Sequence, residues 1–124
     1  MLIKYSPDYQ KIAMGFMSYI PELKDLDHLR MELKLYTTDS RHQLLLYKNN
    51  GGNFAGVIAV EIQNQQNQIV MVRYLSLSPA ERSTNNIYQL LDEIQAYYPQ
   101  AKIMGSIAVT PLILAWQQRK PLGK

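Results

Sequence analysis

The chain has 124 residues, of which 47% are hydrophobic and 19% charged, a composition typical of a single globular domain spanning 1–124. Its net charge of +3 comes mostly from scattered lysines and arginines, which argues against a nucleic-acid partner because such binders gather basic residues on one face. The absence of cysteine excludes disulfides, thiolate nucleophiles and zinc–sulfur sites. No apolar run is long enough to span a membrane and the first residues lack a signal-peptide pattern, so we expect a cytoplasmic protein without membrane contact.

The first forty residues predict a short strand at 1–5 followed by two helices. Ser6 and Pro7 combine an N-cap residue with a proline at the first helical position, and apolar residues recur at helical spacing up to Pro21. A second helix is indicated by one apolar stripe, formed by Leu26, Leu29, Leu33 and Tyr36.

From residue 42 the pattern changes to strands, at 42–48, 54–62 and 69–78. The first two are separated by NNGG at 49–52, a turn in which glycine supplies positive φ. The polar tract at 63–68 separates the second and third. We therefore predict adjacent antiparallel strands, with 63–68 as a hairpin loop.

Pro79 ends the third of these strands, and the clearest helical stripe of the chain follows it. A further strand is predicted at 101–109, parallel to the strand before the helix if that helix is a crossover. Thr110 and Pro111 then begin a last helix. The helical stripe consists of Ile87, Leu90, Leu91 and Ile94. The element order is βααβββαβα, an α/β (α+β) fold with a mixed, mostly antiparallel sheet flanked by helices.

This order, with LSLSPAER at 75–82 followed by a helix, resembles the GCN5-related N-acetyltransferase (GNAT) superfamily. KIAMGFMSYIPELKDL at 11–26 and VRYLSLSPAERS at 72–83 resemble its RibT group, small acetyltransferase-like proteins that accompany riboflavin-biosynthesis genes in some bacteria. The resemblance implies a GNAT fold and transfer of an acetyl group from acetyl-CoA to a small amine. It also implies an association with riboflavin biosynthesis.

In that superfamily the strand before the turn is splayed from its neighbour, so that its main chain contacts the pantetheine arm of acetyl-CoA. The resemblance gives this role to Leu75, Ser76 and Leu77. The turn that follows has the pattern Arg/Gln-x-x-Gly-x-Gly/Ala, whose amides hold the pyrophosphate. It aligns here with Arg82, Ser83, Thr84, Asn85, Asn86 and Ile87.

The arginine of this pattern is present, but both glycine positions have changed, to Asn85 and Ile87. Amides and the positive helix end attract an anion whatever the side chains, and asparagine tolerates positive φ better than other non-glycine residues. Ile87 either turns into the core and leaves the amides accessible, or screens them. Taken without the resemblance, Ser83 and Thr84 simply cap a helix. We predict that CoA binding survives in weakened form.

Glu61, at the end of a strand beside the expected acceptor cleft, is the candidate general base. A solvated strand-end glutamate is the alternative interpretation, and Tyr74 and His42 are weaker candidates. Trp116 and Gln117 stand where the resemblance implies a Phe-Tyr pair, and glutamine cannot protonate the leaving thiolate as that tyrosine does.

The superfamily usually adds two further strands beyond the position of Lys124, so the acceptor side is expected to be truncated. It would be open, or completed by a partner subunit in a homodimer. His28 and His42 lack the close carboxylate spacing of a metal site, so no metal is expected, and His28 is expected to be a partly exposed helix residue. The alternative to an enzyme is a catalytically degenerate GNAT-like module that binds CoA or a partner protein.

Overall fold

A five-stranded sheet forms the centre of the protein, in a computed structural model that describes residues 1–64 and 68–119. The strands follow one another in chain order across the sheet, β1-β2-β3-β4-β5. The first four are antiparallel neighbours, and β5 lies parallel to β4. The strands are β1 Leu2–Lys4, β2 His42–Lys48, β3 Phe54–Asn64, β4 Ile69–Leu77 and β5 Lys102–Gly105.

Four α-helices within these described residues cover the two faces of the sheet. They are α1 Gln10–Met17, α2 Leu26–Thr38, α3 Thr84–Tyr97 and α4 Thr110–Gln118. The first two pack on one face and the last two on the other, with α3 as the crossover between the parallel strands β4 and β5. The predicted order βααβββαβα and the mixed sheet flanked by helices are thus confirmed. Within the described residues, no helix combines the length and apolar character needed to cross a membrane.

Alternation along the strands supplies both halves of the core. Leu44 and Leu46 of β2 point to α1 and α2, whereas Leu45 and Tyr47 point to α3 and α4. Each such side chain stabilises the fold by about 1.5–3 kcal/mol relative to an exposed position. The predicted α3 stripe is confirmed, since Leu90, Leu91 and Ile94 are fully buried and Ile87 packs against them. In the α2 stripe Leu26, the first helical residue, is 48% exposed.

Two helix starts differ from the sequence prediction. Ser6 makes no capping hydrogen bond, and α1 begins at Gln10 after a 3-10 turn over Pro7–Tyr9. Val109 rather than Thr110 occupies the N-cap position of α4. The Thr110 hydroxyl instead donates to the carbonyls of Gly105 and Ser106, which fixes the chain as it leaves β5.

The strand predicted at 101–109 is shorter than expected and ends at Gly105. The Ser106 amide still donates to the Val72 carbonyl, but the Ser106 carbonyl accepts from the amides of Val109 and Thr110, so the chain turns directly into α4. The 49–52 turn is confirmed, with Gly52 at φ 80°. The antiparallel pairing of β3 with β4 agrees with the predicted hairpin, of whose loop residues 65–67 lie outside the described residues.

Candidate functional site: the cleft between β4 and β5

The parallel strands β4 and β5 are paired along only half of β4. Pairing runs from Ile69 opposite Lys102 to Val72 opposite Gly105. Beyond that point the Ser106 hydroxyl donates to the Arg73 carbonyl at 3.1 Å, and the chain then departs into α4. Among the described residues, no strand therefore lies beside the second half of β4 on this edge. This is the separation of strands that the resemblance implied.

A β-bulge lies at the point where the two strands separate. Ala59 of β3 pairs with Tyr74, but the next residue, Val60, pairs with Val72, so Arg73 is the extra residue on β4. Bulges re-aim side chains, and here both Arg73 and Tyr74 lie on the face covered by α1 and α2. The sheet thus presents a charged and an aromatic side chain beside the opening.

The opening, here called the cleft, encloses a cavity of about 270 Å³. Its floor is the free end of β4, from Tyr74 to Leu77, and its walls come from the segment after α1, the start of α3 and the start of α4. Most lining side chains are apolar, and Glu22 and Arg82 are the charged ones. The described residues therefore form a largely apolar groove that leads to the N-terminus of α3.

The main chain of β4 faces the cleft at alternate residues. The Ser78 amide points toward β3, where it donates to the Ala55 carbonyl. The Leu77 carbonyl points to the opposite side, into the cleft, where it accepts from Arg82. Alternation then directs the amide and carbonyl of Leu75 into the cleft and those of Ser76 toward β3. The Ser76 hydroxyl, for its part, donates to the Phe16 carbonyl of α1.

Arg82 lies across the mouth of the cleft. Its Nε donates to the Leu77 carbonyl at 2.9 Å, and its guanidinium stacks 4.7 Å from the centroid of the Tyr19 ring. Neither Nη group bonds to any of the described residues, so both can reach an anion. An incoming phosphate would be met by a cation already held in the cleft.

The turn before α3 is built without left-handed backbone. Within the described residues only Gly52 has positive φ, so the positive φ considered for Asn85 is not used. Ser83 is the N-cap residue, whose hydroxyl accepts from the Asn86 amide at 3.1 Å, while the Ile87 amide donates to the Ser83 carbonyl. Capping therefore occupies one amide of the pattern and helix formation another.

The amides of Thr84 and Asn85 have no acceptor among the described residues, and both residues are exposed at the helix N-terminus. Asn86 donates through its side-chain amide to the Glu81 carbonyl, which fixes the turn from inside. Ile87 packs against the α3 core and also forms part of the cleft wall, beside the cavity that remains. Two amides and the positive helix end are thus the groups of this turn that could hold an anion.

A row of charged side chains extends behind the cleft, on the α2 side of the sheet. Arg73 makes a bidentate ion pair with buried Glu32, in which Nη2 donates to Oε1 at 3.0 Å and Nε donates to Oε2 at 3.2 Å. The Tyr36 hydroxyl donates to the same carboxylate. Burial, and to a smaller extent this hydrogen bond, raises the pKa of Tyr36 above its ordinary value. Arg73 is thereby fixed between α2 and β4.

Glu61 lies at the other end of this row of charged side chains. Its Oε1 is 3.8 Å from Arg73 Nη1 and 3.8 Å from His42 Nε2. Nδ1 of buried His42 is 3.2 Å from the Asp39 carboxylate but makes no hydrogen bond with it, nor with any other residue that the structure describes. Glu61 does not line the cleft, so the structure brings it together with His42 and Arg73 rather than with the cavity.

Tyr74 is the one candidate for chemistry that lines the cleft itself. Burial and then the charge of Glu32 raise the pKa of the Tyr74 phenol; Arg73 opposes this and Glu22 adds to it. The phenol is therefore neutral at physiological pH and can donate a hydrogen bond into the cavity.

No family model matches the chain. An uncharacterised N-acetyltransferase in the lysA 3′ region of Bacillus methanolicus, however, is 31% identical over 104 residues, which are 84% of this chain and 84% of that protein. The chain belongs to the GNAT superfamily of N-acetyltransferases. Solved structures agree at the level of the fold. The apo aminoglycoside 6′-N-acetyltransferase AAC(6′)-Ig of Acinetobacter haemolyticus superposes with a TM-score of 0.68 at 12% identity, covering 96% of this chain and 87% of its own.

A second GNAT structure is a complex with a CoA-containing ligand. It is AAC(6′)-Iy bound to the bisubstrate analogue CoA-S-monomethyl-acetylneamine, with a TM-score of 0.65 and 14% identity over 97% of this chain and 88% of the other. At such identity the likeness concerns the fold alone. It shows that this arrangement of sheet and helices is the one on which that enzyme binds its analogue.

Trp116 and Gln117, the two residues of α4 that the sequence analysis considered for catalysis, point away from the cleft. Gln117 donates to the Ile103 carbonyl at 3.1 Å, and the Trp116 indole donates to Asp92 of α3 at 2.8 Å. Neither lines the cleft. No group of three metal-ligating side chains occurs in the described part of the chain, and His28 is exposed on α2.

Sequence reasoning missed the cleft walls outside residues 74–87, and among the missed residues Tyr19 and Glu22 are the aromatic and the charged one. Both belong to the irregular segment around Pro21, between two helices, and charged or aromatic side chains in such a connection often carry function. That position was the only available signal, because neither residue belongs to an apolar stripe.

Proposed function

We propose that the protein is a GNAT-type N-acetyltransferase that transfers an acetyl group from acetyl-CoA to a small amine. The observation that carries the proposal is the separation of β4 from β5, which exposes the main chain of Leu75 in an apolar cavity ending at the N-terminus of α3. Membership of the superfamily supports the same reaction.

The residues around the cleft fit the co-substrate. A diphosphate would be held by the amides of Thr84 and Asn85 and by Arg82, and the pantetheine arm would run along the free edge of β4. Leu77 would contribute through its side chain and by holding Arg82, since its carbonyl accepts from that side chain. Ser83 would shape the turn as its cap.

The amine nitrogen attacks the thioester carbonyl, so that a C–N bond forms, the C–S bond breaks and the thiolate leaves as the free thiol after protonation. The Leu75 amide, which faces the cleft, is suited to stabilise the oxyanion. Glu61 is the proposed base that accepts the amine proton, and because it does not line the cleft it would act through an intervening water. Tyr74 would position the amine.

The second candidate function is a GNAT-like module that binds CoA or a partner protein without catalysis. It is favoured by Gln117, which donates to the Ile103 carbonyl and stands at the position where the resemblance implies a tyrosine acid. It is also favoured by the Asn86 amide, which the Ser83 cap occupies and which is therefore not free for a phosphate. Measured turnover separates the two candidates.

The most specific element of the proposal is an association with riboflavin biosynthesis. It is supported only by the resemblance of segments 11–26 and 72–83 to the RibT group. Amines related to flavin precursors therefore belong in the substrate panel.

Binding is tested first, by thermal shift and calorimetry with acetyl-CoA and CoA. A ligand that binds the native state raises the melting temperature as it saturates. Arg82→Met should weaken CoA binding about tenfold, the size of one charge-assisted contact, while Arg41→Met, at an exposed position away from the cleft, should leave it unchanged. Equal affinity of both variants and the native protein would remove the anion site from the proposal.

Catalysis is tested by release of free thiol with a panel of amines. Glu61→Gln should lower kcat at least tenfold without changing the affinity for CoA, because the base acts in the chemical step. A variant that releases thiol at the native rate would exclude Glu61 as the base. CoA binding without any acetyl transfer across the panel would favour the non-catalytic module.

A further inference from the structure

A second cavity adjoins the cleft and shares two residues with it. This cavity, here called the α2 pocket, encloses about 340 Å³ between the start of α2 and β4. Glu22 and Tyr74 line both the α2 pocket and the cleft. Volumes of this order are at the lower end of those found for small-molecule sites, about 300–1,000 Å³. A molecule in the α2 pocket would therefore meet the cleft at these two side chains.

The charge of the α2 pocket is negative because only one of its two carboxylates is neutralised. Glu32, at the back, is paired with Arg73 and accepts from Tyr36. Glu22, at the junction with the cleft, is exposed and forms no salt bridge with any described residue. A cation entering the pocket would thus find its counter-charge beside Tyr74 and at the boundary of the cleft.

The remaining wall is mainly apolar. Leu23, Met31 and Leu35 supply it, and Met31 is 69% exposed, so its flexible side chain can adapt to a ligand. Exposed His28 also lines the pocket, in addition to the polar side chains of Glu22, Glu32 and Tyr74. The part of the wall formed by Leu23, Met31 and Leu35 offers no strong side-chain hydrogen-bond partner, so it favours a compact hydrocarbon body on the half of the ligand that faces it.

We propose that the α2 pocket binds the acceptor, a primary amine on a compact apolar body, with its ammonium group at Glu22 and its hydrocarbon part against Met31. This inference rests on the proposed acetyl transfer and names its substrate class. The amine is held at the junction of the two cavities, where it faces the thioester in the cleft once it has lost its proton. Glu22 is then the residue that selects cationic acceptors, while Glu61 keeps the separate role of base.

The test measures binding to the full chain by calorimetry, with and without saturating CoA. The probes are 2-phenylethylamine, its neutral counterpart 2-phenylethanol, and glucosamine as an amine on a polar body. We expect the phenylethylamine to bind at least tenfold more tightly than either of the others. Glu22→Gln should weaken it about tenfold and Met31→Gln severalfold; both positions are exposed, so both variants should fold.

Asp8→Asn is the matched control, since it removes one exposed carboxylate remote from the pocket. Equal affinity in Glu22→Gln and native protein, equal affinity for the amine and the alcohol, or no saturable amine binding would each overturn the inference. Amine binding that depends on Glu22 in a protein that does not bind CoA would refute the proposed acetyl transfer but not the pocket. Acetyl transfer that is unchanged in Glu22→Gln would refute the pocket alone.

Discussion

The Arg73–Glu32 ion pair fastens α2 to β4 beside both cavities, and its removal should be costly because little of it is exposed. The Glu32 side chain is 9% exposed and that of Arg73 23%. Removing one partner of a buried pair costs about 3–5 kcal/mol, because the other charge remains buried without a counter-charge. Arg73→Met leaves the more buried carboxylate without its counter-charge, and we expect a loss of about 4 kcal/mol in the free energy of unfolding. Glu32→Leu leaves the guanidinium with only the 3.8 Å contact to Glu61 and with access to water, and we expect a loss of about 3 kcal/mol.

For a domain of this size 1 kcal/mol corresponds to roughly 4 °C, so the single variants should melt about 12–16 °C lower. Urea and thermal unfolding, followed by circular dichroism, would measure both variants and the double variant. The double variant should be more stable than either single one, since it leaves no buried charge. Arg119→Met, which breaks a more exposed ion pair with Asp92, should change stability by less than about 1 kcal/mol. Additive losses in the double variant would refute the coupling.

Gly105→Ala should destabilise the fold by about 1–3 kcal/mol in urea unfolding, because the new Cβ would lie 2.9 Å from Cγ1 of Ile113 where β5 turns into α4. Gly15→Ala, in a helix with open space around it, should instead stabilise by about 0.5–1 kcal/mol, and equal losses for both would contradict the packing argument. Burial, with the charge of Tyr97 adding to it, raises the pKa of Tyr98 from 10.0 to about 12. The folded state therefore holds this proton more tightly than the unfolded state, so the contribution to stability is complete below pH 10 and is lost between pH 10 and 12. Unfolding measured across that window should show a shallower decline in Tyr98→Phe than in the native protein; identical slopes would contradict the assignment.

Most of the fold could be predicted from the spacing of apolar residues along the sequence. The α3 stripe could be predicted because a helix that buries one face repeats apolar residues at helical spacing, and the three central strands because burial of both faces produces short continuous apolar runs. Segment boundaries depend on particular hydrogen bonds instead. Ser106 ends β5 by accepting from two later amides, and no pattern in 101–109 distinguishes that turn from a continued strand.

The candidate site was predictable only where it coincides with a chain motif. Residues 75–87 are contiguous, so the resemblance located the floor of the cleft and the turn beside it. Glu22 and the pairing of Glu61 with Arg73 are different, because they depend on a β-bulge and on the packing of α2 over the sheet. Neither feature leaves a periodic signal in the sequence.

The replacement of glycine in the turn before α3 matters less for backbone conformation than the sequence pattern suggests. Glycine can serve such a turn by adopting positive φ or by letting an anion approach closely. Ser83 starts α3 from extended backbone at φ −85°, and no described residue of the turn has positive φ, so the first role is not needed. Only close approach is affected, and it depends on Ile87, whose side chain is shared between the α3 core and the cleft wall. For the proposed diphosphate site, the loss of glycine would therefore change how near a phosphate can come, while the exposed amides of Thr84 and Asn85 and the positive helix end remain available to it.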